Sequence, residues 1–257
     1  MLKPVMQLVR ESISLLKKNF RIIVKYLLLQ VLFGVSFMIF SILIGTSILG
    51  RHFSSEPTSS GLGMILTVIG AVGLAATILG YILLSIALTR SIEKMNKNTS
   101  LLTVKEEMKQ ARDVVGQYIW VSILSGLIVL GGLILFIIPG VIFSLWYTFA
   151  PFVAILEKKR GMEALRESKK MVQGRWWTVF GYFFVLGLLF FVVSFAIQMI
   201  ASIPAMIVDT TATQAFASAI SSLANFILSP IMLIATILFY HNLKEHPVNH
   251  EKELPKA

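Results

Sequence analysis

The sequence predicts an all-α integral membrane fold, six transmembrane helices forming three parallel repeats, each an interfacial amphipathic helix followed by a helical hairpin. Three observations predict it. Of the 257 residues 56% are hydrophobic and only 14% charged, against about 25% charged in a soluble domain. Every lysine and arginine except Arg51 falls in residues 3–25, 90–112, 158–175 or a tail holding Lys244, Lys252 and Lys256, with long uncharged stretches between. Three of these basic segments also resemble one another. A cation at the bilayer centre costs roughly 2.5 to 3.5 kcal/mol, and basic loops stay on the cytoplasmic side. The pattern therefore predicts both spans and orientation, with the N- and C-termini cytoplasmic and the chain in the cell (inner) membrane.

A spanning helix needs about 20 mostly apolar residues, and the predicted spans are about 26–50, 61–88, 117–138, 141–156, 177–203 and 214–240. A short polar loop, 51–60, with Glu56 and Pro57, joins the first two. Pro139 and Gly140 join the third and fourth, in the order suited to positions i+1 and i+2 of a type II turn. The fourth span, at about 16 residues, gives roughly 24 Å of helix for a hydrocarbon layer near 30 Å. Pro151 removes the bond to the Tyr147 carbonyl, so a kink is expected there, with Thr148 able to satisfy the freed group in part. A loop with Asp209 joins the last two spans. Residues 1–243 form the membrane domain and 244–257 a polar cytoplasmic tail. The first apolar run is too long for the 7 to 15 residues of a signal peptide's apolar region, so it is read as a retained span. The sequon at Asn98 lies on the inner side by the charge pattern and carries no glycan in this reading.

A shift of 156 lays Glu11, Ser12, Leu16, Phe20 and Tyr26 over Glu167, Ser168, Val172, Trp176 and Tyr182. A shift of 98 lays Met6, Leu16 and Phe20 over Val104, Val114 and Tyr118. In the first copy Val5, Val9, Ile13, Leu16 and Phe20 keep one helical face apolar. The second opens with Thr103 and Glu106 at capping-box spacing and stripes Val104, Met108, Ala111 and Val115. The third runs from Gly161 through Leu165, Met171 and Val172 to Trp176 and Trp177. Such helices are expected in the interface plane with their aromatic rings at headgroup depth. All copies enter from the same side, which makes the repeats parallel; chance likeness among amphipathic helices is the alternative.

Ile138, Pro139, Gly140, Phe149, Ala150, Pro151, Val153, Glu157, Gly161, Ala164, Leu165, Ser168, Val172, Gly174, Trp176 and Trp177 together resemble the membrane domain found beside some bacterial glycerophosphodiester phosphodiesterases and the related YciC-like and DUF975-type membrane proteins. The likeness covers about residues 130–182, with the six-span layout loosely matching the rest. In fused members the phosphodiesterase is a separate soluble barrel, which this chain lacks. The resemblance thus implies a multi-pass membrane module without an assigned catalytic residue.

No ionisable residue interrupts a span, although such residues usually mark proton relays and ion paths. No carboxylate pair or nucleophile with a base can be assembled at depth. Enzymatic activity and a cofactor are therefore not expected. The absence of cysteine excludes disulfides and thiol chemistry. His241, His246 and His250 share no helical face, so a solvated tail is favoured over a metal site; His52 and Glu56 are assigned no role. The formal charge of +10 arises from short basic collars beside apolar spans. Anionic membrane lipids are the expected partners rather than nucleic acid, at about 1 kcal/mol per suitably placed basic residue, and another membrane protein is a further possibility. The headgroup candidates are Arg160, Lys170, Arg175, Trp176 and Trp177, while Glu157 is expected to pair with Arg175 or Arg166. Ser221, Asn225 and Ser229, with Ala217, stripe the last span, as a helix-packing seam or as the wall of a polar pathway. Ala76 with Gly80, and Ser122 with Gly126, read as packing pairs. Pro139, Gly140, Pro151 and Pro230 break helices in the later copies only, an asymmetry that weakens a transporter reading. The favoured function is a non-enzymatic, lipid-binding membrane protein supporting membrane organisation or a partner; the alternative is a permease or exporter of an amphipathic compound.

Overall fold

The computed structural model describes residues 2–53, 57–208 and 210–247, without the side chains of residues 49–53, 57–60, 62, 205 and 207. Among the described residues there is no strand, and the helices are α1 (Val5–Lys18), α2 (Phe20–Phe53), α3 (Pro57–Asn96), α4 (Val104–Leu135), α5 (Ile137–Tyr147), α6 (Ala150–Leu156), α7 (Gly161–Val172), α8 (Trp176–Ile207) and α9 (Thr211–Glu245). Six stretches are long and apolar enough to cross a membrane: Phe20–Ile48, Gly63–Asn96, Val104–Leu135, Ile137–Leu156, Trp176–Pro204 and Thr211–Glu245. The protein has an all-α multi-pass membrane fold. The chain divides into two compact units, one of Met1–Phe20, Thr89–Leu101 and Gly116–Ala257, the other of Arg21–Leu88 and Leu102–Val115.

In the second unit α2 and α3 form an antiparallel hairpin fitted through glycine notches. A Cβ on Gly80 would lie 2.4 Å from Phe33 Cε1, one on Gly73 2.2 Å from Phe40 Cε1, and one on Gly70 2.7 Å from Ile44 Cγ1. Each glycine thus admits a bulky residue of α2 to backbone distance, the means by which small residues drive association where lipid gives no hydrophobic advantage. Tyr26 Oη donates to the Ala87 carbonyl at 3.4 Å in the same register. The helices outrun their apolar stretches, since nothing between Leu88 and Asn96 terminates α3 and the Glu93–Lys97 pair (2.6 Å) supports its last turn. The helix ends in a Schellman motif: Thr99 N–H donates to the Lys94 carbonyl, Asn98 N–H to that of Met95, and Asn98 adopts φ 50°. Asn98, the sequon residue, is therefore a helix terminator. The expected 51–60 loop is shorter than predicted, because α2 reaches Phe53 and α3 starts at Pro57; Glu56 lies outside the described residues, as do Asp209, His250, Lys252 and Lys256.

The first unit contains α1, whose Leu8, Val9 and Ser12 are buried and which packs on α9 and α8. It also contains α7, which buries Ala164, Leu165, Ser168, Met171 and Val172 against α5 and α6. These amphipathic faces pack on neighbouring helices, while Phe20 and Trp177 are exposed. The second copy differs, because its amphipathic stretch and its span are one helix, α4, from Val104 to Leu135. Gly116 at that junction costs about 1 kcal/mol without ending the helix, whereas copies one and three are interrupted at Asn19 and at Gln173–Gly174. Copies one and three share one more detail. Tyr26 and Tyr182, which the 156 shift superposes, are both buried and both donate to an alanine carbonyl on the returning helix, Ala87 at 3.4 Å and Ala235 at 2.8 Å.

Pro139 and Gly140 do not form the turn. The break between α4 and α5 is Phe136, extended at φ −160°, ψ 150°, and both residues lie in the first turn of α5. Proline fits there because its missing N–H would have no helical partner. Gly140 is needed for close approach, since a Cβ would fall 2.9 Å from Leu133 Cα. A type II turn does occur between α7 and α8: Gln173 has φ −58°, ψ 134°, Gly174 has φ 82°, and Arg175 N–H donates to the Val172 carbonyl at 3.1 Å. The fourth span is interrupted at the expected place, just before Pro151, where Thr148 and Phe149 keep right-handed helical dihedrals and separate α5 from α6. The resulting stretch, Ile137–Leu156, has 20 residues, longer than the 16 expected. Thr148 donates to Ser144, not to Tyr147; the groups freed at the break are met by Ser168, whose Oγ donates to the Trp146 carbonyl at 2.6 Å and accepts from Phe149 N–H at 3.2 Å.

Candidate functional site

The charged ends of α6, α7 and α9 meet around one carboxylate. Glu157, the C-cap of α6, accepts from Tyr240 Oη and pairs with Lys244 Nζ at 2.9 Å and Lys159 Nζ at 3.3 Å. Lys159 also reaches Glu167 on α7 at 3.0 Å, so the link between α6 and α7 is tied at both ends. Burial pushes the Glu157 carboxyl up, but the bonds from Tyr240, Lys244 and Lys159 and the charge of Lys244 outweigh it and hold it below its ordinary value. The expected pairing with Arg175 or Arg166 is thus replaced by partners on α9. Tyr240 is anchored by its ring, which lies among Phe149, Phe152 and the neighbouring Phe239 and Tyr182 pair, stacked at 3.7 Å. The next residue, His241, contacts Glu93 at the end of α3.

Arg175 has a different task from the one expected. Its Nε donates to the Met171 carbonyl at 2.8 Å, Nη1 to His246 at 2.5 Å and Nη2 to Leu243 at 2.7 Å. The guanidinium therefore satisfies orphan carbonyls at the ends of α7 and α9 and opposes their negative dipole ends. Burial lowers its pKa. Arg160 and Lys170 are exposed, as are Lys158 and Arg166. Turned to satisfy both its ends, the Gln117 amide accepts from Arg160 Nε at 2.9 Å and donates to the Lys158 carbonyl at 3.2 Å. Trp176 and Trp177 stack at 4.0 Å, with Trp177 exposed. His246 caps α9, and among the described residues no group of His, Asp and Glu could hold a metal ion.

The predicted polar stripe divides by role. Ser221 donates to Ala217 in its own helix, while Asn225 accepts from Ser194 of α8 at 2.5 Å. Ser229 donates at 2.8 Å to the Phe226 carbonyl, the group Pro230 leaves without its helical N–H. Asn225 and Ser229 also line an open cleft with Thr236, Phe152, Phe190, Met232 and Leu233.

A family model described as domain of unknown function (DUF7847) matches residues 109–243, more than half of the chain. The chain belongs to that family. No curated protein and no solved structure is a significant match to it. The DUF7847 region holds Glu157, Ser168, Arg175, the stripe and Tyr240, but not α1, Glu93 or Lys244. Nothing in the family description links it to phosphodiesterase-associated membrane domains, so that likeness rests on the motif residues alone. Sequence reasoning passed over Tyr240, Lys244 and the Glu93–His241 contact. Tyr240 lies 83 residues from Glu157, and no local pattern signals a partner that distant.

Proposed function

We propose that this DUF7847 protein is a non-enzymatic membrane protein that binds anionic lipid headgroups through a cytoplasmic basic collar and supports membrane organisation or a partner protein. In this reading it resides in the cell membrane with both ends cytoplasmic, and the motif around Pro139 to Trp177 marks kinship with phosphodiesterase-associated membrane domains. The observation that carries it is the exposed set Lys158, Arg160, Arg166 and Lys170, followed within residues 158–177 by the stacked Trp176 and Trp177, of which Trp177 is exposed. Exposed cations and an exposed indole in one stretch of chain suit a headgroup above an acyl layer. Arg175, its donors committed to backbone, supports the site by fixing α7. The test is co-isolation of phosphatidylglycerol and phosphatidylcholine with the full chain in nanodiscs. Arg160→Gln with Lys170→Gln should reduce the phosphatidylglycerol excess at least severalfold, and an unchanged excess would count against the reading.

One observation favours a second reading, a permease or exporter for an amphipathic compound: the cleft between α6, α8 and α9 sets Asn225, Ser229 and Thr236 opposite Phe152 and Phe190. Lipid scrambling or efflux in proteoliposomes that Asn225→Leu abolishes would support it.

A further inference from the structure

The second unit holds a groove that neither the motif residues nor the family region's description assigns. It is lined by Leu29 of α2 and by Val104, Lys105, Glu106, Met108, Lys109 and Arg112 of α4. Lys105, Lys109 and Arg112 recur at i, i+4 and i+7, one helical stripe. All three are exposed and make no ion pair or hydrogen bond among the described residues. Leu29, Val104 and Met108 give the groove an apolar floor. Glu106, its one acidic group, is drawn back to the helix start, where its Oε2 accepts from Thr103 N–H at 2.9 Å and Thr103 Oγ1 at 2.8 Å. On α2, Lys25 is exposed one turn before Leu29.

We propose that this groove is a binding site for one anionic phospholipid, whose phosphate lies against Lys109 and Arg112 and whose acyl chain follows Leu29 and Met108. Unpaired cations over an apolar floor match the two halves of such a molecule, which neither a free phosphate nor a neutral lipid does. The proposal rests on the headgroup reading above but places a site on a different helix.

The test is native mass spectrometry of the full chain in detergent, titrated with dioleoylphosphatidylglycerol or dioleoylphosphatidylcholine. The wild type should retain one equivalent of the anionic lipid preferentially. Lys105→Gln, Lys109→Gln and Arg112→Gln together should weaken that equivalent by roughly a hundredfold. Leu29→Trp, which fills the floor and keeps every charge, should also weaken it, and carries the test should the triple variant fail to fold by circular dichroism. Retention by the triple variant, indifference to Leu29→Trp, or displacement by millimolar inorganic phosphate would each overturn the site while leaving a general headgroup role standing. No preference for the anionic lipid in the wild type would overturn both.

Discussion

Glu157 shows how a single acidic side chain can organise the basic end of the first unit. Its carboxyl is held below the ordinary value of 4.5, so its contribution to stability is complete above about that pH and is lost as pH falls through the lower folded value. Thermal unfolding in detergent should therefore show a loss of Tm between pH 5 and the onset of acid denaturation that Glu157→Gln flattens. Tyr240→Phe, which removes one of the bonds opposing burial, should move that loss to higher pH. A wild-type Tm with the same acid dependence as Glu157→Gln would refute the assignment. The residue itself stood out in the sequence through the motif, yet its partners did not, because Tyr240 and Lys244 reach it only through the packing of α6 on the aromatic cluster. The backbone partners of Arg175 were not legible for a related reason. An arginine before two tryptophans reads as interfacial, and nothing local shows that the carbonyls of Leu243 and His246 arrive beside it.

At the level of elements, the uncharged stretches gave the spans, while their ends and breaks were less legible. A helix does not stop where its apolar face stops, so α3 and α4 run into charged sequence that hydropathy assigns to loops. Proline followed by glycine suits a turn and also suits a helix start packed against a neighbour; the proximity of Leu133 decides between them, and that is a tertiary fact. The α2–α3 hairpin offers a direct test of packing. Gly73→Leu would drive a side chain into Phe40 and should destabilise the protein by about 1 to 3 kcal/mol, as overpacking typically does. Adding Phe40→Ala should recover part of the loss. An unaltered Tm in Gly73→Leu would contradict the register in which Gly80, Gly73 and Gly70 meet Phe33, Phe40 and Ile44.

For the whole molecule, the charge pattern predicts that the basic segments share one side of the membrane. The chain has no cysteine, so single substitutions report without background. Ser100→Cys should react with an impermeant maleimide from the cytoplasmic side and Ser60→Cys from the opposite side. Ile137→Cys, within the run Ile134 to Ile138 that is at least 70% exposed and wholly apolar, should react poorly from either. Labelling of Ser60→Cys and Ser100→Cys from the same side would remove the topology on which the headgroup reading depends. The Arg175 clamp also sets an order of assembly. Its farthest acceptor lies 71 residues downstream, so at synthesis rates of about 5 to 20 residues per second roughly 4 to 14 seconds separate the guanidinium from its carbonyl. During that interval the nascent α7–α8 corner carries a cation without its final acceptors. Locking of the corner must therefore wait for the last helix to leave the ribosome and insert.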